Sequence, residues 1–200
     1  MIELVQQWDK KRGDVPLFEK ISLEGAQSGL SWLTILRKRD AYRRVFYDFD
    51  IDRVVTMTPA DVDRIVQEED KNNNPRNLVV RHRGKIEAVI NNAKYIQEMK
   101  KTGGSCSFDE FLWSFVEDQP ILNRWKKNGQ QQLRDAPSQT TESQAMGKAL
   151  KKIGFRFVGP TTCYAMMQSV GMVIDHPVDS PEWKAAHERL QSRPGGYQER

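Results

Sequence analysis

KALKKIGFRFVGPTTCYAMMQSVGMVIDH, residues 148–176, is the stretch on which the fold turns. A helical pattern runs to Lys152 and stops at Gly154. A short connection follows, and a second helix opens after Gly159, with Thr161 or Thr162 at its start, ending near Gly171. Two helices joined by a short turn with glycine at both ends form a helix-hairpin-helix. Such a hairpin presents backbone N–H groups at the start of its second helix. Those donors, together with the helix dipole, hold a phosphate without reading sequence. Lys151 and Lys152 add positive charge beside the turn. The candidate DNA contacts here are therefore Lys151, Lys152, Gly154, Gly159, Thr161 and Thr162. A purely structural hairpin uses the same turn, so the rest of the chain has to choose.

The 200 residues carry a net charge of +4, and the positives cluster: RKR at 37–39, Arg43-Arg44, RHR at 81–83, Lys126-Lys127 and Lys148 to Lys152. A basic excess in patches suits a polyanion, usually nucleic acid, although solvated helix faces give the same pattern. Two cysteines, Cys106 and Cys163, make no disulfide framework and point to a reducing compartment. The first residues lack the apolar core of a signal peptide, and no apolar run approaches the ~20 residues that cross a membrane. The expectation is a soluble intracellular protein, cytoplasmic in a prokaryote, nuclear or organellar in a eukaryote.

Helical spacing dominates the chain. Apolar residues recur at helical intervals over 17–28, 31–46 and 83–101, the last stopped by Gly103-Gly104. Thr58-Pro59 opens a helix to about Glu68, with Thr58 as N-cap and Pro59 at its first position. Ser107 with Glu110 forms a capping box before FLWSFV, and Thr141 with Gln144 forms another for a helix through Lys152. Ser180-Pro181-Glu182 starts a last short helix. Residues 70–76 read as a polar loop and 119–140 as irregular; no segment alternates with period 2. The predicted class is all-α, a single helical domain over 1–200 with a divergent tail after 176.

One further stretch is odd. LEGAQSGLSW, residues 23–32, places a lone carboxylate, Glu24, among apolar and small residues, with Gly25 and Gly29 weakening any helix and Trp32 closing the run. Read by itself, Glu24 is a helix residue pairing with a nearby lysine, and Trp32 and Trp113 are core aromatics.

Taken together, four blocks in order carry a resemblance: LFEKISLEGAQSGLSWLTILRKRDAYRRVF, RHRGKIEAVINNA, FLWSFV and ALKKIGFRFVGPTTCYAMMQSVGMVIDH. From about Leu17 to His176 the chain resembles the DNA-3-methyladenine glycosylase I family, an all-helical branch of the helix-hairpin-helix glycosylases. The resemblance implies an enzyme that flips 3-methyladenine out of double-stranded DNA and hydrolyses its N-glycosidic bond in base excision repair. It implies that Glu24 binds the cationic base and that Trp32 stacks on it. Gln27 and Leu30 match residues inserted into the gap left in the duplex, and Gly25 and Gly29 would let backbone approach pocket and DNA. Asp175 is a second catalytic candidate, at the place where superfamily relatives carry an aspartate; capping the following turn is its other reading.

The chain also departs from the family. Family members open with a cysteine and a Tyr-His-Asp-x-Glu-Trp-Gly segment that supplies a pocket tyrosine and two zinc ligands; MIELVQQWDKKRGDVP has no Cys, His or Tyr, only Trp8 as a relic. The other two ligands are a His and a Cys four residues later. His176 fits the first, but Ser180 stands in place of the second. A structural zinc takes four N or S ligands. The expectation is no metal and no cofactor, with the chain ends held by packing of the helix at 181–190. A monomer acting on alkylated DNA is the expected form; the alternative is a non-catalytic DNA-binding protein built on the same scaffold.

Overall fold

A computed structural model describes residues 12–70, 74–101, 106–124, 137–178 and 180–200. The expectations placed on Trp8, Gly103-Gly104 and Lys126-Lys127 lie outside the described residues. Among the described residues, nine α-helices carry the architecture: α1 Asp14–Gln27, α2 Trp32–Val45, α3 Ile51–Val54, α4 Pro59–Gln67, α5 Arg83–Lys101, α6 Phe108–Trp113, α7 Thr141–Ile153, α8 Pro160–Ser169 and α9 Pro181–Gln191. None of them is long and apolar enough to cross a membrane.

The central helix is α1, which packs against α2, α5, α6 and α8. Leu17 to Ala26 are all buried, ten consecutive residues. A helix surrounded by its neighbours has no solvent face on which to put its charges. Glu19, Lys20 and Glu24 are therefore buried and must find partners inside. The main core fills around α1 with Phe18, Ile21, Tyr42, Phe46, Phe49, Ile86, Leu112, Met146, Leu150 and Met167.

Most expected boundaries are met within a few residues. Thr58 caps α4 and Ser107 caps α6, each in a full capping box. The box of α7 falls one residue earlier than expected: Thr140 and Ser143 exchange the bonds, so Thr141 is inside the helix. Helix α8 begins at Pro160, before either threonine, because proline's fixed φ suits the first helical position and Gly159 takes the N-cap.

The stretch expected to be irregular contains a strand. β1 Ile121–Leu122 lies between β2 Val173–Ile174 and β3 Gln198–Glu199, parallel to both. Two-residue strands are too short to show alternation, and they are specified by the apolar cluster beneath them. That second cluster joins Leu122 and Ile174 to Trp183, Ala186 and Leu190 of α9, with Val178 and Tyr197 against it. The Trp183 indole donates to the Asn123 carbonyl at 3.1 Å, and His187 stacks on Trp183 at 4.8 Å between centroids. Ion pairs Arg124–Glu199 and Arg200–Glu142 tie down the final residues. The C-terminal helix is thus held by packing and strand pairing.

Candidate base site and nucleic-acid interface

Two buried acids stand five residues apart on α1 and have different partners. Glu19 accepts from Arg39 Nε at 2.7 Å and from Arg43 Nε and Nη2 at 2.9 and 3.2 Å. It fastens α1 to α2. Glu24 pairs with its own helix instead: Lys20 Nζ lies 2.9 Å from Glu24 Oε1, with side chains 1% and 4% exposed. The same Nζ stands 4.1 Å above the centroid of the Trp32 ring. Carboxylate, ammonium and indole face form one stack where α1 gives way to α2, its charged pair buried and its indole half-buried. Burial pushes the Glu24 carboxyl upward, opposed by the charge and hydrogen bond of Lys20. Burial likewise pushes the Lys20 amine downward, opposed chiefly by Glu24. The lysine pairing is what the bare sequence suggests for Glu24; the aromatic lid is not.

The corner from α1 to α2 is sharp. Gly29 takes φ +77°, and Ser31 Oγ accepts from Thr34 N–H at 3.2 Å to start α2. Lys85 of α5 reaches across and donates to the carbonyls of Ala26 at 2.9 Å and Ser28 at 2.6 Å, closing the end of α1. Gln27 is half-buried, and Leu30 is 40% exposed on the rim of a cleft of about 250 Å³ shared with Thr34, Lys38, Leu78 and Arg81.

The hairpin lies beside this corner. Gly154 takes φ +117° and Phe157, a non-glycine, φ +56°. Helix α5 clamps the turn. Asn91 donates to the Gly154 carbonyl at 2.9 Å, and Asn92 both donates to the Arg156 carbonyl at 3.1 Å and accepts from its N–H at 2.9 Å. A side chain at Gly25 would put its Cβ 3.1 Å from Phe157 Cβ and 3.2 Å from its carbonyl. Gly25 therefore lets α1 meet the hairpin, not the pocket or DNA. Phe157 is 36% exposed, with the ring of His82 edge-on at 6.3 Å.

The two hairpin glycines differ. A Cβ at Gly154 would fall 2.4 Å from the Tyr95 ring, whereas one at Gly159 would meet nothing within 4 Å. Gly154 is required by its left-handed φ and by the Tyr95 ring against it, and its N–H is given to the Leu150 and Lys151 carbonyls at the end of α7. Gly159 opens α8, no side chain caps that helix, and Pro160 carries no N–H. The amides of Thr161 and Thr162 are thereby left at a helix start, with Thr161 exposed and Thr162 half-buried. Lys151 and Lys152 are exposed at the end of α7.

The largest basic cluster of the sequence is mostly consumed within the protein. Arg39 and Arg43 hold Glu19, Lys38 holds the carbonyls of Pro75 and Leu78, and Arg44 holds the Asn77 carbonyl and Glu68. Asp175 is also engaged. Its Oδ1 accepts from Asn123 at 2.6 Å and its Oδ2 from the Tyr164 hydroxyl at 2.5 Å and Gln168 at 2.7 Å, joining β1, β2 and α8. Trp113 is core, 3% exposed. Ser180 caps α9 through Trp183 N–H, so it stands as a helix cap where the family pattern places a cysteine. Among the described residues, no three His, Cys, Asp or Glu side chains converge as a metal site would require.

Lys85, Asn91, Asn92 and Phe157 escaped the sequence reading, and Lys20 entered it only as an unnumbered lysine near Glu24. For Lys20 the signal was present, a lysine one turn before the acid. For the others it was not, because each meets its partner across tens of residues.

Residues 5–183 match the methyladenine glycosylase family. The chain is 45% identical over 177 residues to the DNA-3-methyladenine glycosylase of Haemophilus influenzae, covering 88% of each. It is 44% identical over 174 residues to DNA-3-methyladenine glycosylase 1 of Escherichia coli, covering 87% of this chain and 83% of that one. A solved 3-methyladenine DNA glycosylase I superposes with a TM-score of 0.76 at 42% identity, over 86% of this chain and 87% of the other. A variant of such an enzyme, solved in complex with 3-methyladenine, gives 0.75 at 32% identity, over 88% and 86%. Agreement in sequence over nearly the whole chain, and in fold over the same span, means that this chain belongs to the methyladenine glycosylase family.

Proposed function

We propose that this enzyme excises 3-methyladenine from double-stranded DNA, leaving an abasic site for base excision repair. The observation that carries the reading is the buried Glu24 carboxylate, separated from the Trp32 face only by the Lys20 ammonium, at the corner adjoining the hairpin. A buried carboxylate beside an aromatic face suits a positively charged, electron-poor ring and gives ordinary adenine no such gain. Methylation at N3 puts a positive charge on the base. When the bond to the sugar breaks, its electron pair neutralises the ring, the base departs uncharged, and water supplies hydroxide to C1′ while its second proton goes to solvent. The leaving group needs no acid, so the chain's task is to select and hold the flipped base.

The other residues take supporting roles in this reading. Leu30 and Gln27 fill the gap in the stack, and the amides after Gly159 hold a phosphate with Lys151 and Lys152 nearby. Asp175 stays outside the chemistry, as the hydrogen-bond hub of β1, β2 and α8. The protein works as a soluble intracellular monomer and needs no metal; zinc in chelator-treated, folded protein at one equivalent would overturn that last point.

The test is release of 3-methyladenine from methylated duplex by purified protein, followed chromatographically. Release by the wild type and its loss in Glu24→Gln support the reading. A folded Glu24→Gln variant with undiminished release would make Glu24 a structural acid.

A further inference from the structure

A carboxylate flanked by an aromatic face makes a slot for a cation. In this chain the slot already holds one. Lys20 Nζ bonds Glu24 Oε1 at 2.9 Å and covers the Trp32 ring at 4.1 Å from its centroid, with the lysine side chain 1% exposed. Glu19 and Arg39 are the other charges acting on it, and Glu19 is itself committed to Arg39 and Arg43. We infer that Lys20 is a built-in competitor, a tethered ammonium in the cation slot of Glu24 and Trp32 that a base must displace to be captured.

The inference rests on the reading of Glu24 and Trp32 as the base site. Its physical basis is charge balance. Two positive charges against one buried carboxylate repel, so ammonium and cationic base exclude each other. The ammonium rides a flexible four-carbon stem and can withdraw. A neutral base that pushed it aside would leave Glu24 buried and unpaired, with nothing to offset the loss. A base bringing its own charge restores the pair. Lys20 thus sets which bases enter, at a cost in affinity even for the correct one. Until a base arrives its charge and hydrogen bond also oppose the upward push of burial on the Glu24 carboxyl.

The test uses 3,9-dimethyladeninium, a fixed cation with methyl in place of the sugar and no glycosidic bond to hydrolyse. Its binding to the full-length protein is measured by calorimetry at pH 8. Lys20→Met removes the competitor, and the probe should bind at least tenfold more tightly. Lys20→Arg holds Glu24 by two hydrogen bonds and stacks on indole, so the probe should bind at least tenfold more weakly. Equal or weaker binding by Lys20→Met overturns the inference. If that variant fails to fold, equal or tighter binding by Lys20→Arg does so instead. Glu24→Gln is the control: undiminished probe affinity there removes the base site itself, a failure distinct from an effect missing only at residue 20.

Discussion

The corner between α1 and α2 and the hairpin between α7 and α8 are built alike. Each joins two helices through a left-handed glycine, Gly29 at φ +77° and Gly154 at φ +117°. Each is clamped by α5, through Lys85 at one and Asn91 and Asn92 at the other. They differ in what the glycine faces. Gly154 packs on Tyr95, while Gly29 has open space around it. In the hairpin the rigid half is the end of α7 and the open half is the start of α8. In the first corner the exposed half is the turn, and the chemistry lies behind it in the Glu24 stack. One corner is shaped to present backbone amides, the other to bury a charge.

The largest effect that breaks this comparison should come from Gly154→Val. The positive φ and a Cβ 2.4 Å from the Tyr95 ring act together, and about 3 kcal/mol or more should be lost. Thermal or urea unfolding measures it, and a near-native midpoint would mean that Tyr95 moves aside freely. Glu24→Gln comes next. It removes the charge from the base site and strands Lys20, so excision should fall by roughly a hundredfold. Stability should also fall, by about 3 kcal/mol for a broken buried pair. The double variant Lys20→Met with Glu24→Gln should recover most of that stability and none of the excision.

Gly159→Val separates the two hairpin glycines. Its added side chain meets open space, so the fold should persist. Affinity for damaged and undamaged duplex should fall alike, by roughly tenfold, with a shallower salt dependence. Unchanged duplex affinity would take the start of α8 out of the interface. The smallest effect belongs to a site remote from both corners. Thr58→Ala removes the capping box of α4 and should cost about 1 kcal/mol, leaving excision per folded molecule unchanged.

The legibility of each part follows from the range of the interaction that makes it. Helices α4 and α6 were readable because Thr58–Asp61 and Ser107–Glu110 close within one turn. Gly154 was readable as the end of α7 because its conformation is local, but its contact with Tyr95 was not. The RKR cluster left a polyanion contact and a solvated helix face both open because a sequence displays charges without their partners; Arg39 is spent on Glu19, twenty residues earlier. The strands were invisible because pairs such as Ile121 with Val173 and Gln198 are assembled by the second core.

The sequence by itself determined a helical chain, a glycine-bounded hairpin and a lone acid in an apolar run, all consequences of spacing and local propensity. Only the tertiary structure decided that Gly25 serves the hairpin, that Arg39 serves the buried Glu19, and that Lys20 stands between Glu24 and Trp32. The physical reason is burial. A charge on a helix surrounded on all sides cannot stay in water, and which partner it takes depends on what the fold brings within a few ångströms.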